Sequence, residues 1–352
     1  MGIYPFDYTV FEDAKAVVTS LTSYDRDTWA AAFSAVASRY EEAGMLAEKQ
    51  GDRERAKTTF LHAYSFYRMA RFPTTNSKGK LFAYRKSQEL FFRAAQYLEV
   101  PVERVEMPFP GGEGEGDRVV AYLQVPKGKE PLPLLIVSGG IDTFKEDSRE
   151  EDVLEKGIAT LAIDIPGVGD APLKGSIDGK RLFDAIFDWV RTRHDIDPNH
   201  VGYWGSSTGG YWAVKVAHTH RAHLAAVISQ GGCVHHAFEA DWIEKAQTGD
   251  YPFELAETLA YAFGRSTFEE WVEYAPQLSL LRQGVLDEPC APLLLVNGLH
   301  DSVFPIEDYY LLLQHGDPKS ARFFDAPHMG YTRNTRSIIL DWLSARLRRN
   351  EK

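Results

Sequence analysis

From about residue 102 onward the chain alternates short apolar runs with amphipathic stretches, a pattern that few architectures accept. The runs at 102–107, 119–125, 132–137, 160–165, 200–204, 225–229, 293–296 and 321–324 have strand length, and those after the second are apolar enough to be buried on both faces. Helical spacing falls at about 147–156, 178–193, 208–218, 306–314 and 333–348. Strand and helix in alternation predict an α/β fold, a mostly parallel central sheet with helices on both faces. The first two strands flank a glycine-rich loop at 111–116 and are predicted to pair with each other. The interval 233–290 has no strand pattern and several helical stretches rich in Trp, Phe and Tyr. It is predicted to be a helical insertion before the penultimate strand.

The texture before residue 101 is different. Trp29, Phe33, Val36 and Tyr40 form one apolar stripe at spacings of four, three and four, and Phe60, Ala63, Tyr64 and Tyr67 form a second. Gly51 and Asp52 punctuate the two. A polar break at 73–80 precedes a third helix, predicted at about 81–98, carrying Leu90, Phe91 and Tyr97. The chain therefore divides into a helical N-terminal domain, 1–100, and an α/β domain, 101–352. The stretch 47–72 has the form of one tetratricopeptide-like helix-turn-helix unit. Such units need about three stacked copies to bury a core, so an ordinary helical hairpin is expected.

Composition narrows the partners. Across 352 residues, 39 basic against 50 acidic side chains give a net charge of −11. Nucleic acid and anionic membranes both demand concentrated positive charge, so neither is expected as a partner. The longest apolar runs, 132–137 and 292–296, are far too short to span a bilayer. The N-terminus lacks a basic segment followed by an apolar one, and no signal peptide is predicted. Two cysteines, Cys233 and Cys290, without CxxC spacing, fit a reducing, cytoplasmic setting, although one disulfide between them is compatible with the sequence.

The chemistry concentrates at Gly205-Ser206-Ser207-Thr208-Gly209, a G-x-S-x-G pattern between a buried strand and a helix. A sharp strand-to-helix turn needs glycines where a Cβ would collide, and it lifts the central hydroxyl, Ser207, above the sheet beside a helix N-terminus. A serine nucleophile needs a base, and the base needs an orienting acid. The chain order Ser, acid, His is met by Asp301, just past the strand at 293–296, and His328, just past the last strand. Both fall at strand C-terminal ends, where parallel sheets present their ligands. The tetrahedral intermediate needs donors for its oxyanion: the Thr208 N–H, and an N–H of Gly140 or Ile141 in the loop after 132–137. His300 has no partner in that order and is expected to be supporting structure. His218, His220, His223, His235 and His236 lack ligand spacing, so no metal and no cofactor are predicted. The segment at 164–169, DIPGVG, lacks the Lys-Ser/Thr ending of a phosphate loop and is expected to be structural, near the rim of the pocket.

These residues resemble the α/β-hydrolase superfamily over about 102–350, in the branch with a helical N-terminal domain. That branch includes 2,6-dihydroxypseudooxynicotine hydrolase, fungal polyketide-shortening pigment hydrolases and fermentation-respiration switch esterases. The resemblance rests on the helical leader, SGGIDTFKED after the third core strand, DIPGVGDAP, GSSTGG and the Asp301 and His328 placements. It implies a serine hydrolase whose N-terminal domain caps the pocket, acting on an ester or on a C–C bond next to a ketone. It also implies a homodimer, and an auxiliary acid on the cap side for which Glu239 and Asp241 are the candidates. The aromatic residues of the two helical regions, among them Tyr64, Phe66, Tyr67, Trp242, Tyr261, Phe263 and Trp271, suggest a bulky apolar or aromatic small-molecule substrate, or else simply core packing. The contrasting expectation is a non-catalytic partner-binding protein that uses the helical domain beside an idle hydrolase domain.

Overall fold

In the computed structural model, which describes residues 4–129, 131–251 and 254–347, the chain forms two units, Met1–Val102 and Glu103–Lys352. The first is built from α1 (Phe11–Ser20), α2 (Arg26–Lys49), α3 (Arg53–Arg71) and α4 (Lys78–Ala95). Each of the last three starts where a side chain takes up orphan N–H groups. Asp25 accepts from Asp27 and Thr28, Asp52 from Arg55, and Ser77 from Lys80. The Ser77 cap explains why α4 begins ahead of the expected 81: the polar stretch supplies a helix start as well as a break. Helices α2 and α3 form one hairpin, turned at Gly51 (φ +76°), and α4 packs on both. At Gly44 the ring of Phe60 lies so close that a Cβ would stand 2.6 Å from it. Tyr64 and Phe66 are fully buried and Tyr67 nearly so. Glu41 is drawn inside by the Tyr67 hydroxyl (2.9 Å) and Lys86 Nζ (2.7 Å).

The second unit holds an eight-stranded sheet of order β1-β2-β4-β3-β5-β6-β7-β8. Its strands are β1 (Glu103–Pro108), β2 (Arg118–Gln124), β3 (Leu132–Ser138), β4 (Ala159–Ile163), β5 (Ile196–Ser206), β6 (Ala226–Gln230), β7 (Leu293–Gly298) and β8 (Lys319–Phe324). β2 pairs antiparallel with β1 and with β4, and every other pairing is parallel. β5 starts four residues before the expected 200, with an irregular register opposite Leu132 and Leu134.

The helices of this unit are α5 (Glu151–Leu154), α6 (Arg181–Val190), α7 (Thr208–Thr219), α8 (Ala240–Ala246), α9 (Leu255–Ala262), α10 (Phe268–Tyr274), α11 (Glu307–Leu312) and α12 (Thr335–Leu347). Some helix bounds differ from those expected, the 178–193 stretch narrowing to α6. The helix expected at 147–156 shrinks to α5, because residues 144–147 are held in a tight turn by side-chain bonds (Phe144 N–H to Asp147, Lys145 N–H to Asp164). The last residue of the helix expected at 333–348 lies outside the described residues.

Helices α8 to α10 lie between β6 and β7, as the insertion before the penultimate strand. Their entry is clamped by Asp308 on α11, whose carboxylate accepts the N–H groups of Val234 (2.8 Å), His235 (3.2 Å) and His236 (2.6 Å). Burial pushes the Asp308 carboxyl above the usual range, against the pull of those donors. Phe263 and Trp271 are buried, whereas Trp242 and Tyr261 are half-buried. Of the aromatic residues named above, Tyr64, Phe66, Tyr67, Phe263 and Trp271 are thus buried, and Trp271 lines a small cavity together with Trp242, Leu259 and Phe304.

Candidate active site

The carboxyl ends of β5, β7 and β8 bring three side chains together. Ser207 follows β5 directly and precedes the first residue of α7. It holds φ +54°, ψ −124°, a conformation that strains any non-glycine residue. The turn closes on two glycines: a Cβ at Gly205 would lie 2.1 Å from the Gly209 carbonyl oxygen, and one at Gly209 would lie 2.4 Å from that of Gly139. The Ser207 N–H donates to the Gln230 carbonyl on β6 (2.7 Å), and its own carbonyl accepts the Gly210 N–H (2.7 Å).

His328 Nε2 lies 3.0 Å from Ser207 Oγ, and its Nδ1 lies 2.7 Å from Asp301 Oδ2. The Asp301 side chain is fully buried. Its Oδ1 accepts the N–H groups of Val303 (2.8 Å) and Phe304 (2.9 Å), and Oδ2 also accepts from Asn297 Nδ2 (2.8 Å). Four donors thus fix one carboxylate in one orientation. The ring of Phe304 meets the His328 ring edge-on, with centroids 5.6 Å apart.

The loop after β3 runs beside the serine. A Cβ on Gly140 would stand 2.8 Å from Ser207 Cβ and 3.1 Å from Oγ, so only a glycine backbone approaches this closely. Thr208, as the first residue of α7, has an N–H with no acceptor inside the helix. Among the described residues, no hydrogen bond occupies the N–H groups of Gly140 and Ile141. Thr208 and Gly140 therefore border Ser207, and Ile141 follows Gly140 along the chain, each with an N–H to spare.

The other candidates have partners of their own. Glu239 pairs with Arg282 (2.8 Å), and Asp241 accepts the N–H of Trp242 on the exposed start of α8 (2.9 Å). Among the described residues no hydrogen bond joins either one to Ser207, Asp301 or His328. His300 pairs with Asp325 at the surface (2.7 Å). The histidines have structural contacts: His218 with the Glu288 carbonyl, His220 with Asp184 and Thr219, and His235 with Ser279. Among the described residues no group of three or more His, Cys, Asp or Glu is placed to hold a metal ion. Cys233 and Cys290 are both free and buried.

Two residues of the site escaped the sequence reasoning. Asn297 is the penultimate residue of β7, donating to Asp301 and accepting the Met329 N–H (3.1 Å). Gln230 ends β6, donating to the Met329 carbonyl (3.0 Å) and accepting from Trp204 Nε1 (3.1 Å). Together they hold the turn at Met329 (φ +73°), which presents His328. The available signal was a polar residue closing an otherwise apolar strand at its carboxyl end, in VISQ and LLLVN.

Comparison with known proteins places these features in context. Residues 13–348 match the FrsA-like esterase family. The chain is 30% identical over 220 residues to 2,6-dihydropseudooxynicotine hydrolase of Paenarthrobacter nicotinovorans, a match covering 61% of this chain and 55% of that protein. It is 29% identical over 228 residues to the alpha/beta hydrolase ucsC of an Acremonium species, covering 57% of this chain and 46% of that one. The chain thus spans about half the length of these two relatives. The crystal structure of 2,6-dihydroxy-pseudo-oxynicotine hydrolase superposes with a TM-score of 0.78 over 97% of this chain and 94% of that one. At 24% identity, that likeness shows the fold. No helix among the described residues is long and apolar enough to cross a membrane.

Proposed function

The chain belongs to the FrsA-like esterase family and carries the α/β-hydrolase fold, and from that premise we propose that it is a serine hydrolase working through an acyl-enzyme. The single observation that carries the reading is His328 bridging Ser207 Oγ at 3.0 Å and Asp301 at 2.7 Å. In this reading His328 Nε2 accepts the Ser207 proton as Oγ attacks a carbonyl carbon, and Asp301 holds the resulting imidazolium through Nδ1. The N–H of Thr208 and one from Gly140 or Ile141 receive the oxyanion. His328 then hands its proton to the leaving group, and water attacks the acyl-enzyme by the reverse route.

Ester cleavage is the form the geometry favours, because an alkoxide leaves with the one proton that His328 holds. A carbanion leaving group from C–C cleavage needs delocalisation or a further acid. Glu239 is engaged with Arg282, and Asp241 lies on the exposed start of α8. The substrate is proposed to be a small apolar or aromatic molecule, a class supported by the relative named for 2,6-dihydropseudooxynicotine. An intact hydrogen-bonded Ser-His-Asp set supports catalysis over a purely partner-binding role.

The test is covalent labelling by a fluorophosphonate, with turnover of a short-chain aryl ester and an aryl β-diketone measured side by side. Labelling that vanishes in Ser207→Ala, with ester turnover, is the expected result. Equal labelling of Ser207→Ala would remove the nucleophile assignment. Faster cleavage of the diketone would move the activity to C–C hydrolysis.

A further inference from the structure

Two sequence segments stand apart from the chemistry above, FKED at 144–147 and DIPGVGD at 164–170, and they meet in a buried charge cluster. Lys145 Nζ, with no exposed side-chain surface, lies 2.8 Å from Asp164 Oδ2, 2.9 Å from Asp170 Oδ2 and 3.1 Å from Glu146 Oε1. Asp164, also buried, binds backbone as well: Oδ1 accepts the Lys145 N–H (2.8 Å) and Oδ2 the Asp170 N–H (2.9 Å). Tyr122 on β2 donates to Glu146 Oε1 (2.7 Å), and Lys145 Nζ sits 5.1 Å from the centre of its ring. A Cβ at Gly169 (φ +54°) would fall 2.2 Å from Asp164, so the loop wraps directly over this carboxylate.

Dehydrating one ammonium and several carboxylates is expensive, and such clusters are poor devices for stability; fixing a geometry is what they do better. The geometry at stake here is that of the loop after β3. Gly139 lies folded against Thr143, where a Cβ would come within 2.4 Å of the threonine side chain. Gly140 touches Ser207, and Lys145 follows Thr143 by two residues. Two close approaches, Gly139 on Thr143 and Gly140 on Ser207, thus lie between 144–147 and the serine.

We propose that Lys145 and Asp164 are positioning residues for the hydrolytic reaction. By locking the loops after β3 and β4 together, they hold the Gly140 and Ile141 N–H groups against Ser207 at the spacing an oxyanion requires. This rests on the serine-hydrolase reading. The cluster reaches no reacting atom itself. Its effect falls on the transition state and leaves ground-state binding nearly unchanged.

The test compares the wild-type chain with Lys145→Met/Asp164→Asn, which removes opposite charges together, and with the milder Asp170→Asn. The readouts are kcat and KM on an aryl ester, affinity for an aryl trifluoromethyl ketone, whose adduct carries the oxyanion, and affinity for the matching methyl ketone. The double variant is expected to lose about 10–100-fold in kcat and in trifluoromethyl ketone affinity, less than the about 100–1,000-fold of deleting one oxyanion donor outright, because the donors are displaced and not removed. KM and methyl ketone affinity should stay within about threefold. Asp170→Asn should show the same split to a smaller degree. A folded double variant with wild-type kcat and ketone affinity overturns the proposal, as does an equal loss of both affinities. If the double variant does not fold, Asp170→Asn decides by the same split. A wild-type chain that neither labels at Ser207 nor turns over ester fails the hydrolase reading itself, before these variants are reached.

Discussion

At the scale of single residues, the site is governed by what surrounds Ser207, Asp301 and His328. Asn297 shows this most directly, because one side chain holds the Asp301 carboxylate and the backbone that presents His328. Asn297→Ala is expected to lower kcat by about 10–100-fold with KM little changed, since the imidazole loses orientation and the substrate loses no contact. Steady-state kinetics on an aryl ester checks this. Gly140 offers a sharper case. Its replacement by alanine sets a methyl group 2.8 Å from Ser207 Cβ. A loss of activity above about 100-fold is expected, with the circular dichroism spectrum close to wild type. Ser207, Asp301 and His328 were legible as residues because order, spacing and strand context converge on them. Asn297 and Gln230 were not, because their task depends on the Met329 backbone, which is 32 and 99 residues away along the chain.

At the scale of elements, helix ends and helix contacts carry the testable consequences. His218, near the end of α7, donates from Nδ1 to the Glu288 carbonyl (2.7 Å), while its Nε2 is buried with no hydrogen-bond partner among the described residues. Burial depresses its pKa to about 4, since a proton on Nε2 would find no acceptor. The unfolded chain, with a histidine pKa near the ordinary 6.5, binds that proton more readily. This contribution to stability is thus present above about pH 6.5 and is lost as the pH falls toward 4, at most about 3 kcal/mol. Urea unfolding at pH 7 and pH 5 measures the loss, and His218→Gln is expected to flatten its pH dependence. In the N-terminal unit, Gly44→Ala improves helix propensity by about 1 kcal/mol but drives a methyl group into the Phe60 ring at 2.6 Å. A net destabilisation of about 1–2 kcal/mol is expected in urea unfolding, without loss of helix content.

At the scale of the whole molecule, the net charge of −11 sets a long-range field. It disfavours the approach of anionic substrates, and salt screens it. For a pair of aryl esters differing by one carboxylate, kcat/KM is expected to favour the neutral ester at low ionic strength. Raising the salt from about 10 mM to 500 mM should narrow the gap, because the Debye length falls from about 30 Å to a few Å. An unchanged ratio would place the selectivity in local contacts.

The alternation of apolar runs and helical stretches determined the α/β sheet by itself, because side-chain periodicity is local and strands buried on both faces leave an unbroken apolar signature. The same local logic made Ser207, Asp301 and His328 readable, each just beyond a strand's carboxyl end. What only the tertiary structure decided was how distant polar groups pair. The full burial of Tyr64 and Phe66 was decided there too, since a sequence records that a ring is apolar and not which neighbours enclose it. Lys145 and Asp164 became partners across 19 residues, since FKED and DIPGVGD are ordinary polar segments until β3 and β4 lie side by side. Periodicity is written in neighbouring residues; hydrogen-bond partnership depends on which strands become adjacent, and that is settled only when the sheet closes.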